Sequence, residues 1–285
     1  MDRQVGDWER GSMSPELTIP QLERQAAIIR RHIIELAAEH LCHVGGALSA
    51  ADVITALYFR VMRIDPADLE RSDRDYFILS KGHGVLALFA ALAERGFFPV
   101  SSLKTFEQAG SILAAHPTLK VPGIEVATGS LGHGLPIATG IALACHVSGE
   151  PNRVFIVMGD GELQEGSVWE AALAAPRFGL DNLVAVVDRN RFQAFGPVEQ
   201  IMPLEPLAEK WRSFRWNVIE CDGNEMGQVV AALERPPEAG RPTVIIAHTV
   251  KGKGVPCLED TPRAHFTRLT AEEAEEALRA MGAAS

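Results

Sequence analysis

Cysteine is sparse and unpaired in this sequence. Cys42, Cys145, Cys221 and Cys257 stand far apart with no CxxC pair, which excludes a zinc knuckle or a disulfide framework and leaves reduced thiols as the expectation. Basic residues are outnumbered, 27 lysines and arginines against 37 aspartates and glutamates, for a formal net charge of −10. No basic stripe is present, so sequence-independent nucleic-acid binding is excluded and an anionic ligand needs cations placed locally. No apolar run reaches the roughly 18 residues that span a bilayer. The opening MDRQVGDWERGSMSPEL has no apolar signal-peptide core, so a soluble cytoplasmic protein without membrane contact is expected. Neither GSLGHG at 129–134 nor GDGELQEG at 159–166 is the six-residue dinucleotide fingerprint, and a Walker lysine–serine pair is missing. Nicotinamide and nucleoside triphosphate binding are therefore disfavoured.

What is present is an α/β pattern. The 285 residues, 47% of them hydrophobic, supply ample core for a parallel β-sheet flanked by helices. Residues 1–19 read as an N-terminal arm and 20–285 as one domain, with no internal repeat or low-complexity linker. Leu22, Ala26, Ile29, Ile33 and Leu36 recur at helical spacing, and this helix is expected to end near Gly45 and Gly46. Ser49 is expected to open a second helix. A strand at Tyr76–Leu79, the turn Lys81-Gly82-His83-Gly84 and a helix at Val85–Arg95 follow. Residues 99–128, with Pro99, Pro117 and Pro122, read as loops with one short helix, a place for a substrate mouth. Strands at 153–158, 183–188, 216–223 and Thr243–His248 then alternate with helices to about 146, 166–178 and near 225–235. Such alternation implies parallel pairing through right-handed crossovers.

The segments VFIVMGDG at 154–161, followed by Glu162, and LVAVVDRN at 183–190 carry the chemistry. They put Asp160 and Asn190 at the carboxyl ends of two apolar runs, where open α/β sheets bind ligands. A carboxylate oxygen and an amide oxygen brought together there suit a hard divalent cation that also holds phosphate oxygens. Each residue alone is equally a turn or cap residue; their joint placement beside Glu162 favours a magnesium-diphosphate site. GSLGHG, just before a helix, offers backbone N–H groups and a positive dipole end to a diphosphate, or is simply a tight turn.

These segments resemble the thiamine diphosphate signature, and GDGELQEGSVWEAALAAPRFGLDNLVAVVDRNRFQ resembles the transketolase family in particular. HVGGALSAADV at 43–53, DRDYFILSKGHG at 73–84, His116-Pro117 and GIEVATGSLGHGL at 123–135 resemble further transketolase motifs in family order, so that the likeness covers roughly residues 20–270. The resemblance implies the thiamine diphosphate-binding (PP-type) fold and two-carbon ketol transfer with thiamine diphosphate and Mg2+. It implies magnesium held by Asp160, Asn190 and the carbonyl of Phe192. Gly129, Leu131, Gly161 and Glu162 are implied near the cofactor, as are Lys81 and Lys251. His83 and His265 are implied at the diphosphate, and His43 and His116 at the donor sugar's hydroxyls; all four histidines enter the catalytic set, since imidazole moves protons near neutral pH. His133 is a further loop contact, Gly46 stands where some relatives carry serine, and the glycine usual after the last histidine is replaced by Phe266.

Transketolases are about twice as long, so the resemblance implies a split enzyme. This chain would be its N-terminal subunit, with a separately encoded C-terminal subunit carrying the pyrimidine-binding and C-terminal domains, in an α2β2 complex acting on a sugar or sugar phosphate. The alternatives are a deoxyxylulose-phosphate-synthase-like or 2-oxo acid decarboxylating subunit, or a non-catalytic cofactor-binding subunit.

Overall fold

Residues 17–283 are described in the computed structural model of the chain, so most of the expected N-terminal arm lies outside the described residues. Helix α1 runs over Ile19–Glu39; the Gln21 side chain accepts the Thr18 N–H at 2.8 Å, and Pro20 fits the first turn. Helix α2, Val44–Ala56, continues into a π-turn at Leu57–Val61. Strand β1 (Tyr76–Leu79) leads through a short 3-10 turn at Gly82–Gly84 into α3 (Val85–Arg95). After the loops that follow, α4 (Gly134–Ser148), β2 (Val154–Gly159), α5 (Gly166–Arg177) and β3 (Leu183–Arg189) come in turn. A small hairpin, β4 (Phe192–Gln193) with β5 (Gly196–Pro197), precedes α6 (Val198–Ile201) and α7 (Leu207–Ser213). The described chain closes with β6 (Asn217–Asp222), α8 (Met226–Leu233), β7 (Thr243–His248) and α9 (Ala271–Ala283).

Five strands form a wholly parallel sheet in the order β1-β2-β3-β7-β6. Because side chains alternate along a strand, Phe155 and Val157 face a layer built from α1, α2, α3, α8 and α9. Val154, Ile156 and Met158 face α4, α5 and α7. Burial on both faces explains why these strands read as continuous apolar runs.

Two expectations about the first helices are corrected. The glycine pair does not end α1; Gly45 and Gly46 lie in the first turn of α2, which begins before Ser49. Close packing selects glycine there, since a Cβ on Gly45 would lie 2.6 Å from the Ala264 carbonyl oxygen. Gly45→Ala is expected to destabilise the chain by roughly 1–3 kcal/mol through overpacking, read as a lower denaturant midpoint at unchanged m-value. The helix Val44–Val61 is also long and apolar enough, by length and composition, to cross a membrane, contrary to the expectation of no such run. It is 89% buried inside the protein, as the central helix of its layer.

Candidate functional site

Lys81, Asp160, Asn190 and Lys251 all emerge at the carboxyl edge of the sheet, just past β1, β2, β3 and β7. Asp160 is buried; its Oδ1 accepts the Gly161 N–H at 2.8 Å, and its Oδ2 accepts the Arg191 N–H at 2.6 Å and Arg189 Nη1 at 3.0 Å. Asp160 and the Asn190 turn therefore share one small space. Arg191 takes a left-handed conformation, φ 67°, which folds the chain back so that the Asn190 Oδ1 accepts the Phe192 N–H at 3.1 Å. The Phe192 carbonyl accepts Lys251 Nζ at 3.1 Å. Burial and the nearby Asp188 push the Asp160 carboxyl above its ordinary pKa, with Arg189 pulling the other way.

Beneath this turn lies a carboxylate that the sequence expectation passed over. Asp188 is 0% exposed and accepts Ser49 Oγ at 2.6 Å and Asn190 Nδ2 at 3.0 Å, together with Lys81 Nζ and the Thr249 hydroxyl. Burial pushes its carboxyl up, but the Lys81 ammonium and the converging donors outweigh burial and leave it below the usual range. Arg189 was missed too; its Nη2 donates to Glu199 Oε1 at 2.7 Å and Glu205 Oε1 at 3.0 Å. The available signal was a charged pair closing an otherwise apolar strand, since such residues are rarely buried unless partnered.

Glu162 is placed differently from its expected part at the cofactor. Its Oε1 accepts the Gly132 N–H at 3.0 Å and the Ser80 hydroxyl, and its Oε2 accepts the Gly159 N–H at 3.1 Å. Both oxygens thus tie the glycine loop to the ends of β1 and β2, and burial raises the carboxyl's pKa. Gly161, expected to offer its N–H to the diphosphate, donates it to Asp160. Gly129, at φ 151°, lies against His116, where a Cβ would come within 3.1 Å of the imidazole Cδ2. Leu131 is half-buried in the same loop, while His133 is exposed with its Nδ1 3.3 Å from the Leu131 carbonyl.

The expected histidines converge from four separate segments. His43 caps α2, His83 sits in the turn after β1, His116 comes from the long loops and His265 from a 3-10 turn at Pro262–His265. The ring centroid of His43 lies 5.2 Å from His83, 6.4 Å from His116 and 5.2 Å from His265. Paired backbone hydrogen bonds between Cys42 and Thr267, 3.1 and 3.0 Å, hold His43 beside His265. Phe266, 49% exposed, packs on His43 at 4.6 Å and walls one side of the cluster. Lys251 Nζ reaches His265 Nδ1 at 3.2 Å.

Burial, followed by the neighbouring cations, lowers His43 and His265 to about 4 and His83 well below its ordinary value; Lys251 falls to about 8, through burial and then Lys81. His43, His83 and His265 are thus neutral at pH 7, able to accept as well as donate. A histidine whose folded pKa is depressed favours the folded state fully above the unfolded value near 6.5, and that contribution is lost as pH falls towards 4. The melting temperature of the ligand-free chain should therefore drop between pH 6.5 and 4, and His43→Gln should flatten that drop; an unchanged slope would contradict it.

The residues present fit magnesium diphosphate. Asp160, Asn190 and Phe192 supply a carboxylate, an amide and a carbonyl oxygen, an all-oxygen set suited to a hard cation, and the buried, pKa-raised Asp160 gains from positive charge beside it. Two lysines and a glycine loop at the start of α4 stand next to them.

The chain matches the family described as "Transketolase, thiamine diphosphate binding domain" over residues 27–285. It belongs to the transketolase family. A protein of Actinobacillus succinogenes named as one of the subunits of an apulose-4-phosphate transketolase is 43% identical over 270 residues, covering 93% of this chain and 98% of that protein. The 6-deoxy-6-sulfo-D-fructose transketolase subunit SqwG of a Clostridium species is 43% identical over 254 residues, covering 88% of this chain and 92% of that protein. Among solved structures, a transketolase variant from Pichia stipitis superposes with a TM-score of 0.86 at 28% identity over 93% of this chain. The transketolase of Leishmania mexicana gives 0.84 at 26% identity over 94%. This transketolase-family chain spans only 41% and 42% of those two proteins. The expected α/β fold and the expected cofactor, thiamine diphosphate, are those of the family.

Proposed function

We propose that this chain is the diphosphate-binding subunit of a two-chain transketolase, which moves a two-carbon ketol unit from a ketose to an aldehyde. The observation that carries the reading is the convergence of His43, His83, His116 and His265 beside the Asp160–Asn190–Phe192 oxygens. The lengths support the two-chain form, since the chain covers 98% of a relative named as a subunit but 41% of a single-chain transketolase. Relatives named as transketolase subunits favour ketol transfer over the decarboxylating alternative.

Asp160, Asn190 and the Phe192 carbonyl would hold Mg2+, and Lys81, Lys251, His83 and His265 would balance the diphosphate charge. Gly129 leaves room beside His116, and Leu131 supplies apolar packing. Glu162 acts one step back, by fixing the loop. Bound thiamine diphosphate supplies a nucleophilic carbon and an electron sink for carbon–carbon cleavage. This chain's share is to orient the donor and to move protons on its hydroxyl oxygens, for which the imidazoles of His43 and His116 are suited.

The partner would be a separately encoded chain with the pyrimidine-binding and C-terminal domains, assembled as α2β2. Apolar side chains left open on adjacent helices support a covered face there: Ile137 and Val147 on α4, the latter 76% exposed, and Leu173 on α5. The test mixes the full chain with that partner, thiamine diphosphate and Mg2+, and follows transfer from a ketose to an aldehyde acceptor. Transfer that needs both chains supports the reading. Pyruvate decarboxylation without ketol transfer, or no cofactor binding with the partner present, overturns it.

A further inference from the structure

We propose that Asp188 is a positioning residue that decides which end of the Asn190 amide meets the metal. The inference rests on the reading of Asn190 as a metal ligand.

An amide side chain has a donor end and an acceptor end of nearly the same shape, and only the oxygen binds a hard cation. Something must therefore select the orientation. Asp188 and Asn190 are two residues apart at the end of β3, the spacing that puts side chains on the same side. The Asp188 carboxylate is 0% exposed and accepts from Asn190 Nδ2 at 3.0 Å. An ionised carboxylate has no proton to give, so the neighbouring amide must present its NH2. Ser49 strengthens the choice: its hydroxyl donates to Asp188 Oδ2 at 2.6 Å, which turns its lone pairs towards Asn190 Nδ2, 3.4 Å away. With both amide hydrogens committed to that side, the Asn190 Oδ1 faces the opposite side, where it accepts the Phe192 N–H at 3.1 Å. Asp160 meets the same turn one residue earlier, its Oδ2 accepting the Arg191 N–H at 2.6 Å.

A flipped amide sets its oxygen against a carboxylate and its NH2 where the cation belongs, so one buried charge both forbids the wrong state and orients the right one. Lys81, 1% exposed and ion-paired to the same carboxylate, supplies the opposite charge that a buried anion needs. Ser49 comes from the middle of α2 and Lys81 from the turn after β1, so the ligand's orientation is set by the core of the fold.

The test measures Mn2+ affinity by electron paramagnetic resonance on the full chain in complex with its partner chain at saturating thiamine diphosphate, and the metal-free melting temperature separately. Asp188→Asn removes the dictation, because the new amide accepts or donates equally well. The Mn2+ dissociation constant should rise about 10–100-fold, the usual scale for a group behind a ligand. The exchanged pair Asp188→Asn with Asn190→Asp keeps the buried charge beside Lys81. It lets Asn at 188 donate to one carboxylate oxygen while the other faces the metal, and it should recover affinity to within about 10-fold of the wild type. Should the single variant fail to fold, the exchanged pair is compared with Asn190→Asp alone, which sets two carboxylates against each other and should bind more weakly than the pair. Wild-type affinity in Asp188→Asn, or an exchanged pair no tighter than the singles, overturns the proposal while leaving Asn190 as a ligand. Loss of Mn2+ binding in the wild type itself overturns the ligand reading and the proposal with it. A merely structural Asp188 would move the melting temperature without any recovery on exchange.

Discussion

Asp160→Ala is expected to weaken magnesium-linked thiamine diphosphate binding by roughly 100-fold or more, about 2.8 kcal/mol, while the metal-free chain stays folded. The carboxylate is the one charged oxygen in the Asp160, Asn190 and Phe192 set, so its removal takes the largest share of the attraction for the cation. The stability of the chain is affected much less. Asp160 accepts hydrogen bonds from Gly161, Arg191 and Arg189, and losing them costs on the order of 1–2 kcal/mol. Arg189 is not stranded, because Glu199 and Glu205 still receive its other Nη. Burial also makes an anion at 160 unfavourable in the absence of the cation, as its raised pKa records, and that offsets part of the loss. Calorimetric titration of the cofactor with and without Mg2+, beside a melting curve of the metal-free chain, separates the two effects. Magnesium-dependent binding at wild-type strength would contradict the role given to Asp160.

Most of the sheet was legible in the sequence because its strands are buried on both faces, so that runs such as VFIVMG and LVAVVDR stand out against the helices. The strand ends then located Asp160 and Asn190, and in the structure the turn after Asn190 gives its Arg191 N–H to Asp160. The first glycine pair was not legible in the same way. Glycine in a helical stretch reads as a stop, and only the approach of Ala264, more than two hundred residues later, shows that it serves packing. The same limit hid Asp188. Its partners Ser49, Lys81 and Thr249 are scattered along the chain, and a lone aspartate before an asparagine reads as turn material until the fold gathers donors around it. Glu162 was found by its neighbourhood to Asp160, yet its oxygens turn towards Ser80, Gly132 and Gly159, a direction that no spacing encodes. The histidines were legible as separate motifs. That His265 joins them follows from the Cys42–Thr267 backbone pairing, a contact between distant segments that only the folded chain displays.

His116→Ala separates binding from turnover. His116 approaches the site from the loop side: its ring lies against Gly129 and 6.4 Å from His43, whereas Lys81, Asp160, Asn190 and Lys251 emerge from the sheet edge. Removing the imidazole deletes a proton donor and acceptor from the sugar side and leaves the magnesium-diphosphate oxygens and both lysines in place. Loss of one positioned acid–base group lowers turnover by about 100–10,000-fold. Cofactor affinity should change little by comparison, since a half-buried loop histidine leaves no orphaned charge behind. The measurement is steady-state ketol transfer with the partner chain at saturating cofactor, paired with a direct cofactor titration of the same variant. His83→Ala provides the contrast, for His83 stands beside Lys81 and its loss should weaken cofactor binding as well. If His116→Ala weakens cofactor binding as much as it lowers turnover, the imidazole acts at the diphosphate, and the division of the four histidines between the sugar and the cofactor must be redrawn.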